Sequence, residues 1–151
     1  MKFIKVREVK TPAYGTDGSA GIDFFVPEDF KTHQLTDGHG ILIPSGIKAN
    51  VPDGMVLIAF NKSGVATKKK LQVGACVVDS DYQGEIHIHV FNTTNHDEIE
   101  IKAGDKLTQF VLLPYVHAKL AECQTELEVF PVETKRGSGG FGHTDQGDHM
   151  A

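Results

Sequence analysis

The chain has 151 residues and a formal net charge of −5, a length that suits one domain. A hydrophobic content of 40% is enough for a packed core, whereas the acidic balance excludes a general nucleic-acid surface, which needs a basic excess. No apolar run approaches the length of a membrane span, so no membrane partner is expected.

Met1 to Val6 enter a strand-like alternation at once. No secretory signal is therefore expected, and the cytoplasm is the expected compartment. Cys76 and Cys123 suit a reducing environment without a disulfide framework. Residues 3–9 read as an edge strand, and Thr11 to Ser19, rich in Gly, Pro, Thr and Asp, as a loop. Residues 20–26 read as a strand carrying one carboxylate, Asp23, among apolar neighbours. Residues 27–40, polar and broken by Pro27 and two glycines, read as a long surface connection. Residues 41–43, 47–51 and 55–60 are short strand candidates separated by Pro44-Ser45-Gly46 and Pro52-Asp53-Gly54.

Ser63 offers an N-cap to a short helix over residues 64–70. Gly74 to Glu85 runs from β-branched residues through an acidic turn, and alternation then resumes at Ile86, Ile88 and Val90. The pattern predicts a hairpin presenting Asp79 and Tyr82 at the rim of a pocket. Residues 98–101, 107–115 and 127–132 complete the strand candidates, and from Glu133 onward apolar residues almost vanish. Residues 1–132 thus read as a β domain and 133–151 as a flexible arm. Many short strands with one short helix predict an all-β barrel or jelly roll.

The chemistry of the side chains leaves several readings open. The tail Arg136-Gly137-Ser138-Gly139-Gly140-Phe141-Gly142-His143-Thr144 combines a forked cation, a flat ring and glycines that bring backbone N–H groups close to phosphate oxygens. It also fits a solubilising terminus. It lacks the ending of a Walker loop and follows no βα unit. Ser63 and Gly64 beside Lys62 suit either a phosphate cradle or a plain helix cap. Gln109, in an apolar strand, needs a partner that is internal or a ligand. Asp23 and Asp79 can hold a divalent ion through water or activate a water molecule. His87 and His89 share a strand face and could bind metal, but with no third ligand marked out they read as structural or solvent-facing, and Cys76 as a small buried residue. The Lys68-Lys69-Lys70 run reads as a solvated face.

Taken in order, the segments resemble the five motifs of the trimeric dUTP pyrophosphatase (dUTPase) family. Residues 20–24 resemble the first, 62–66 the second, 74–85 the third, 104–110 the fourth and 136–144 the fifth. The resemblance implies a dUTPase-like jelly roll of the β-clip type, assembled as a homotrimer with active sites at subunit contacts. It implies hydrolysis of dUTP to dUMP and pyrophosphate, limiting uracil incorporation into DNA, with Mg²⁺ held mainly by the triphosphate. By position, Asp79 would activate the attacking water and Tyr82 would pack beneath the sugar. The backbone of Gly74 to Val78, including Val77, would pair with uracil. Lys62, Ser63, Gly64 and Gln109 would hold phosphates, and Asp23 would orient the water shell of the metal. Arg136 would reach the γ-phosphate and Phe141 would stack on the base, while Gly142, His143 and Thr144 complete the arm.

Four departures from the family pattern stand out. Asn61-Lys62 replaces Pro-Arg, which loses the bidentate fork. Cys76 replaces a common glycine, His143 replaces a serine, and residues 145–151 have no family role. A dCTP deaminase of the same fold would need an acid within residues 65–70, and none is there. A non-catalytic dUTP sensor working with a regulatory protein partner uses the same pocket, and turnover separates it from the enzyme.

Overall fold

The computed structural model describes residues 1–140. Two compact units divide the chain, Met1–His117 and Ala118–Ala151.

The first unit is built from β-strands and one helical turn. In chain order the strands are β1 (Lys2–Lys5), β2 (Ala13–Tyr14), β3 (Ile22–Asp23), β4 (His33–Leu35), β5 (Gly40–Pro44) and β6 (Ile47–Asn50). They continue as β7 (Met55–Asn61), β8 (Leu71–Val73), β9 (Val77–Val78), β10 (His87–Asn92), β11 (Ile99–Ile101) and β12 (Thr108–Pro114). A five-stranded sheet has the order β2-β3-β12-β7-β9, and a three-stranded sheet the order β5-β10-β8. The pairs β1-β6 and β11-β4 complete the fold. All pairings are antiparallel. Such an all-β arrangement matches the expected fold class.

Period-two alternation decides which side chains form the core. Along β10, Ile88 and Val90 are buried while His87 and His89 stay half-exposed. Ile43, Leu57, Leu71, Ile86 and Leu107 close the interior, and Phe24 packs on Phe110 with ring centroids 4.4 Å apart.

Several expected elements differ. The strand expected over 20–26 shrinks to Ile22–Asp23. Strands β2, β4 and β8 occupy stretches read as loop or left unassigned. Each is two or three residues long, too short to show a period of its own. The helix expected over 64–70 is one π-wound turn, Val65–Lys69. Ser63 and Gly64 are already helical and the Ala66 N–H donates to the Lys62 carbonyl at 2.8 Å, so Ser63 lies inside the helical segment rather than capping it, and no side chain caps the turn. Lys70, at φ 58°, ends it.

The expected hairpin is not one. Strand β9 pairs with β7, whereas β10 pairs with β5 and β8. Residues 79–86 therefore carry the chain from one sheet to the other. The alternation on either side was read correctly, but alternation says nothing about which partner a strand takes.

In the second unit the strand expected over 127–132 is replaced by a helical turn, α1 (Glu126–Val129). Thr125 caps it by accepting from the Glu128 N–H. The Thr125-x-x-Glu128 spacing is a capping box, and Thr125 Oγ1 also lies 3.1 Å from Glu128 Oε1. Leu127, Phe130 and Val132 are exposed, so the apolar pattern has no core to pull it into a strand.

Two polar features of the first unit affect stability. Glu85 Oε1 accepts from Arg7 Nε at 2.8 Å and from the Gly46 N–H at 2.7 Å, and Arg7 also reaches Asp29. Burial pushes the Glu85 carboxyl up, but the bonds from Arg7 and Gly46 outweigh it and hold it below the usual carboxylate range. Separately, the Thr108 hydroxyl is fully buried without a hydrogen-bond partner among the described residues.

Two predictions follow from these groups. A depressed carboxyl stabilises the fold above its unfolded pKa, and that contribution is lost as pH falls through the folded value. Glu85→Gln should therefore cost about 1–2 kcal/mol at neutral pH and flatten the acid limb of a urea-denaturation series. An unchanged acid limb would contradict the assignment. Thr108→Val removes the orphaned hydroxyl at nearly constant shape and should raise stability by about 1 kcal/mol, read as a higher urea midpoint at unchanged slope.

Candidate active site

One end of the five-stranded sheet gathers the first, second and fourth motifs. In register, Gln109 of β12 lies opposite Asp23 of β3 and Phe60 of β7, and Thr108 lies opposite Asn61. Asp23 is 5% exposed, a position where an unpaired carboxylate is costly. Two lysines pair with it. Lys62 donates to Oδ1, and Lys106 Nζ lies 3.2 Å from Oδ2. Burial raises the Asp23 carboxyl, yet the hydrogen bonds from Lys62 and then Lys106 bring it below its ordinary value. One carboxylate between two ammonium groups leaves one positive charge in excess, at a surface where Lys106 is about half exposed.

Lys106 was not singled out from the sequence. The signal was available: it falls inside the fourth motif, two residues before the strand whose Gln109 pairs with Asp23. Asn61 was noted only as a departure, but it is a hub. Its carbonyl accepts from Gln109 Nε2 at 2.9 Å, its Oδ1 accepts from the Val73 N–H at 2.8 Å, and its Nδ2 donates to Gln72 at 2.8 Å. Gln109 thus has the internal partner that the sequence left open. Ser63 and Gly64 are exposed at the entry to the π-wound turn, and the Ser63 carbonyl accepts from Thr67 Oγ1 at 2.7 Å.

Asp79 and Tyr82 lie elsewhere. Strand β9 runs against β7 with Val77 opposite Ile58 and Val78 opposite Leu57. Asp79 therefore continues toward Val56, away from Lys62, and about 20 Å of strand separates the two along β7. Asp79 is exposed, and its carbonyl accepts the Tyr82 N–H at 3.3 Å. The Tyr82 hydroxyl donates to the Glu85 carbonyl at 2.9 Å, folding the ring back over Gly84. A Cβ at Gly84 would sit 2.8 Å from Tyr82 Cε2, so glycine is what lets the ring lie there. A shallow pocket of about 140 Å³ lies beside this turn, lined by Cys76, Val77, Val78, Tyr82, His87 and Phe110 among others. Cys76 is half-buried in it rather than enclosed.

In the second unit, Arg136 is held in a tight turn: its Nε donates to the Gly139 carbonyl at 2.9 Å, and the Gly139 N–H returns to the Arg136 carbonyl. Phe141, Gly142, His143 and Thr144 lie outside the described residues.

Among the described residues, no three His, Cys, Asp or Glu side chains converge as a ligand set. A hydrated ion carried by a ligand needs only an outer acceptor. A carboxylate has about four lone-pair directions, of which the lysines take two at Asp23, so the residue fits that lesser role. No helix among the described residues is long and apolar enough to cross a membrane.

Comparisons with known proteins identify the family and the fold. The dUTPase family model matches residues 7–145. The deoxyuridine 5'-triphosphate nucleotidohydrolase of Finegoldia magna is 36% identical over 148 residues, covering 95% of this chain and 97% of its own. The dUTPase of Staphylococcus bacteriophage 80alpha, solved with dUPNHPP, superposes with a TM-score of 0.81 at 20% identity, over 94% of this chain and 96% of its own. A mutant dUTPase of the S. aureus phage phi11, described with a coordinated structural Mg(II) ion, gives 0.74 at 21% identity, over 83% and 97%. The fold is the β-sheet fold that those solved dUTPase chains share. The chain belongs to the dUTPase family.

Gly84→Ala tests the turn. The backbone tolerates alanine, so the fold should survive with its stability changed by less than about 1 kcal/mol. The ring of Tyr82 must move, and the KM for a deoxynucleotide substrate should rise about tenfold. Unaltered KM would show that the ring position is unimportant.

Proposed function

We propose that the protein hydrolyses dUTP to dUMP and pyrophosphate as a cytoplasmic homotrimer whose active sites are shared between chains. The observation that carries this reading is the exposed Asp79 carboxylate on the Tyr82 turn, in a chain matched by the dUTPase family across residues 7–145. Family relatives carry the same activity in their names. The trimer is supported by the separation along β7. Asp79 and Tyr82 at one end, and Lys62, Ser63, Gly64 and Gln109 at the other, face a single triphosphate most simply when different subunits supply them.

In this reading the backbone of Gly74, Val77 and Val78 pairs with the uracil edge and Tyr82 packs beneath the deoxyribose. Asp79 takes a proton from a water as its oxygen bonds to the α-phosphorus. The bond from that phosphorus to the bridging oxygen breaks, and pyrophosphate leaves with the electron pair. Lys62 and Lys106 present cations to the phosphates, with the Ser63 hydroxyl, the Gly64 N–H and the Gln109 amide as further donors. Lysine at position 62 gives a point charge where arginine would give a fork, and Lys106 adds a second point charge beside it. Mg²⁺, bound to the triphosphate, would supply charge neutralisation at the phosphates, with Asp23 accepting from its water shell. Residues 133–151 form the arm in this proposal, bringing Arg136 to the γ-phosphate and Phe141 onto the base, with Gly142, His143 and Thr144 around the phosphates.

Pyrophosphate release from dUTP, dCTP, dTTP and UTP, with Mg²⁺ and with chelator, tests the reaction. Turnover of dUTP alone, abolished by chelator, is expected. Comparable turnover of UTP would contradict the role of Tyr82. Asp79→Asn should lower kcat by about 10²–10⁴-fold with nucleotide binding largely kept. A variant with near-normal kcat would exclude Asp79 as the base.

A further inference from the structure

The backbone between β8 and β9 leaves one sheet and joins another. Val73 ends the strand paired with β10, and Val77 begins the strand paired with β7. A crossing segment cannot be held by either ladder along its whole length, so its amides need other acceptors. Two side chains supply them. The Val73 N–H donates to Asn61 Oδ1 at 2.8 Å, and the Ala75 N–H donates to His89 Nδ1 at 2.8 Å. Between them the Gly74 N–H donates to the His89 carbonyl at 2.9 Å, and beyond them the Cys76 carbonyl accepts from the Ala59 N–H at 2.8 Å.

Both acceptors are themselves fixed. Asn61 Nδ2 donates to Gln72 Oε1 at 2.8 Å, which sets the orientation of the amide. The His89 ring packs against Phe91, centroids 4.7 Å apart. It occupies room that Gly74 leaves open: a Cβ there would fall on the His89 ring and 2.7 Å from Phe91 Cε2. Because Nδ1 accepts, the ring proton of the neutral imidazole sits on Nε2.

We propose that Asn61 and His89 are positioning residues for base specificity. They clamp the Val73–Ala75 backbone, Asn61 at Val73 and His89 at Gly74 and Ala75, and set how closely it approaches the pyrimidine edge of the nucleotide. This rests on the reading above that the Gly74–Val78 backbone pairs with uracil. Rejecting a single methyl, or an amino group in place of a carbonyl, depends on backbone that cannot retreat. A loosened clamp admits thymine and cytosine, while Asp79, on a separate turn, keeps its chemistry. Replacing the Asn61 side chain leaves its carbonyl in place for Gln109.

The test compares His89→Leu, Asn61→Ala and His89→Asn with the native protein on dUTP, dTTP and dCTP. His89→Leu should raise the KM for dUTP about 5–10-fold and lower the preference for dUTP over dTTP by a similar factor, with kcat within about twofold. Asn61→Ala should move both in the same direction. His89→Asn should recover most of the loss, because an amide oxygen can accept from the Ala75 N–H. Native KM and preference in His89→Leu, or a loss of kcat alone, would overturn the proposal. If His89→Leu does not fold, nitrogen-15 NMR of the native protein decides. A bare Nδ1 on His89 and a protected Ala75 amide are expected. His87, whose Nδ1 lies 2.9 Å from the Glu85 carbonyl, must donate and should show the opposite tautomer. A protonated Nδ1 on His89, or a freely exchanging Ala75 amide, would overturn the clamp. A native protein that does not turn over dUTP would overturn the activity and the specificity role together, while the NMR signature would still report the clamp.

Discussion

A carboxylate cannot be buried alone, and Asp23 is buried on the two-residue strand β3 between β2 and β12. The charge is tolerable there because lysines arrive from two other stretches of chain, Lys62 just after β7 and Lys106 just before β12. That requirement ties three motifs, distant in sequence, to one end of one sheet. It also explains why two lysines can gather there: they repel each other less with a carboxylate between them. In the proposed reading, a phosphate chain entering there would meet ammonium groups already gathered and only partly neutralised.

Strand β7 gives the site its second constraint. It is the only strand of the described residues that pairs with both β12 and β9, so it leads into Lys62, Ser63 and Gly64 at one end and lies beside Val77 and Val78 toward the other. A rigid strand keeps those ends apart. The shared site of the proposed trimer is then a way of joining two half-sites that one chain holds too far apart. The side chains of Asn61 and His89 serve the same architecture, holding backbone at the place where the chain passes between sheets.

Much of this was legible in the sequence, for identifiable reasons. Ile86, Ile88 and Val90 alternate strictly, and β10 follows them. The acidic stretch at Asp79 does turn, its carbonyl accepting the Tyr82 N–H, although not as a hairpin. What failed was pairing: the same alternation that marked β9 and β10 could not say that they join different sheets. Leu127 to Val132 reads as a strand by composition, but Thr125 and Glu128 form a helical cap locally and no strand among the described residues pairs with the segment. Lys106 escaped notice because a lone lysine after Gly-Asp reads as a turn residue until Asp23 is known to lie opposite Gln109. The clamp was equally invisible, since nothing in a sequence shows that His89 and Ala75 meet.

The most direct test of the divided site is complementation between two inactive variants, Asp79→Asn and Lys62→Ala, co-expressed with different tags and purified as mixed oligomers. If each site draws Asp79 from one chain and Lys62 from another, about one site in three of these mixed trimers is intact, and dUTP hydrolysis returns to that fraction of the native rate. Mixed oligomers of proven composition that remain as inactive as either parent would place both residues in the same chain's site and contradict the account.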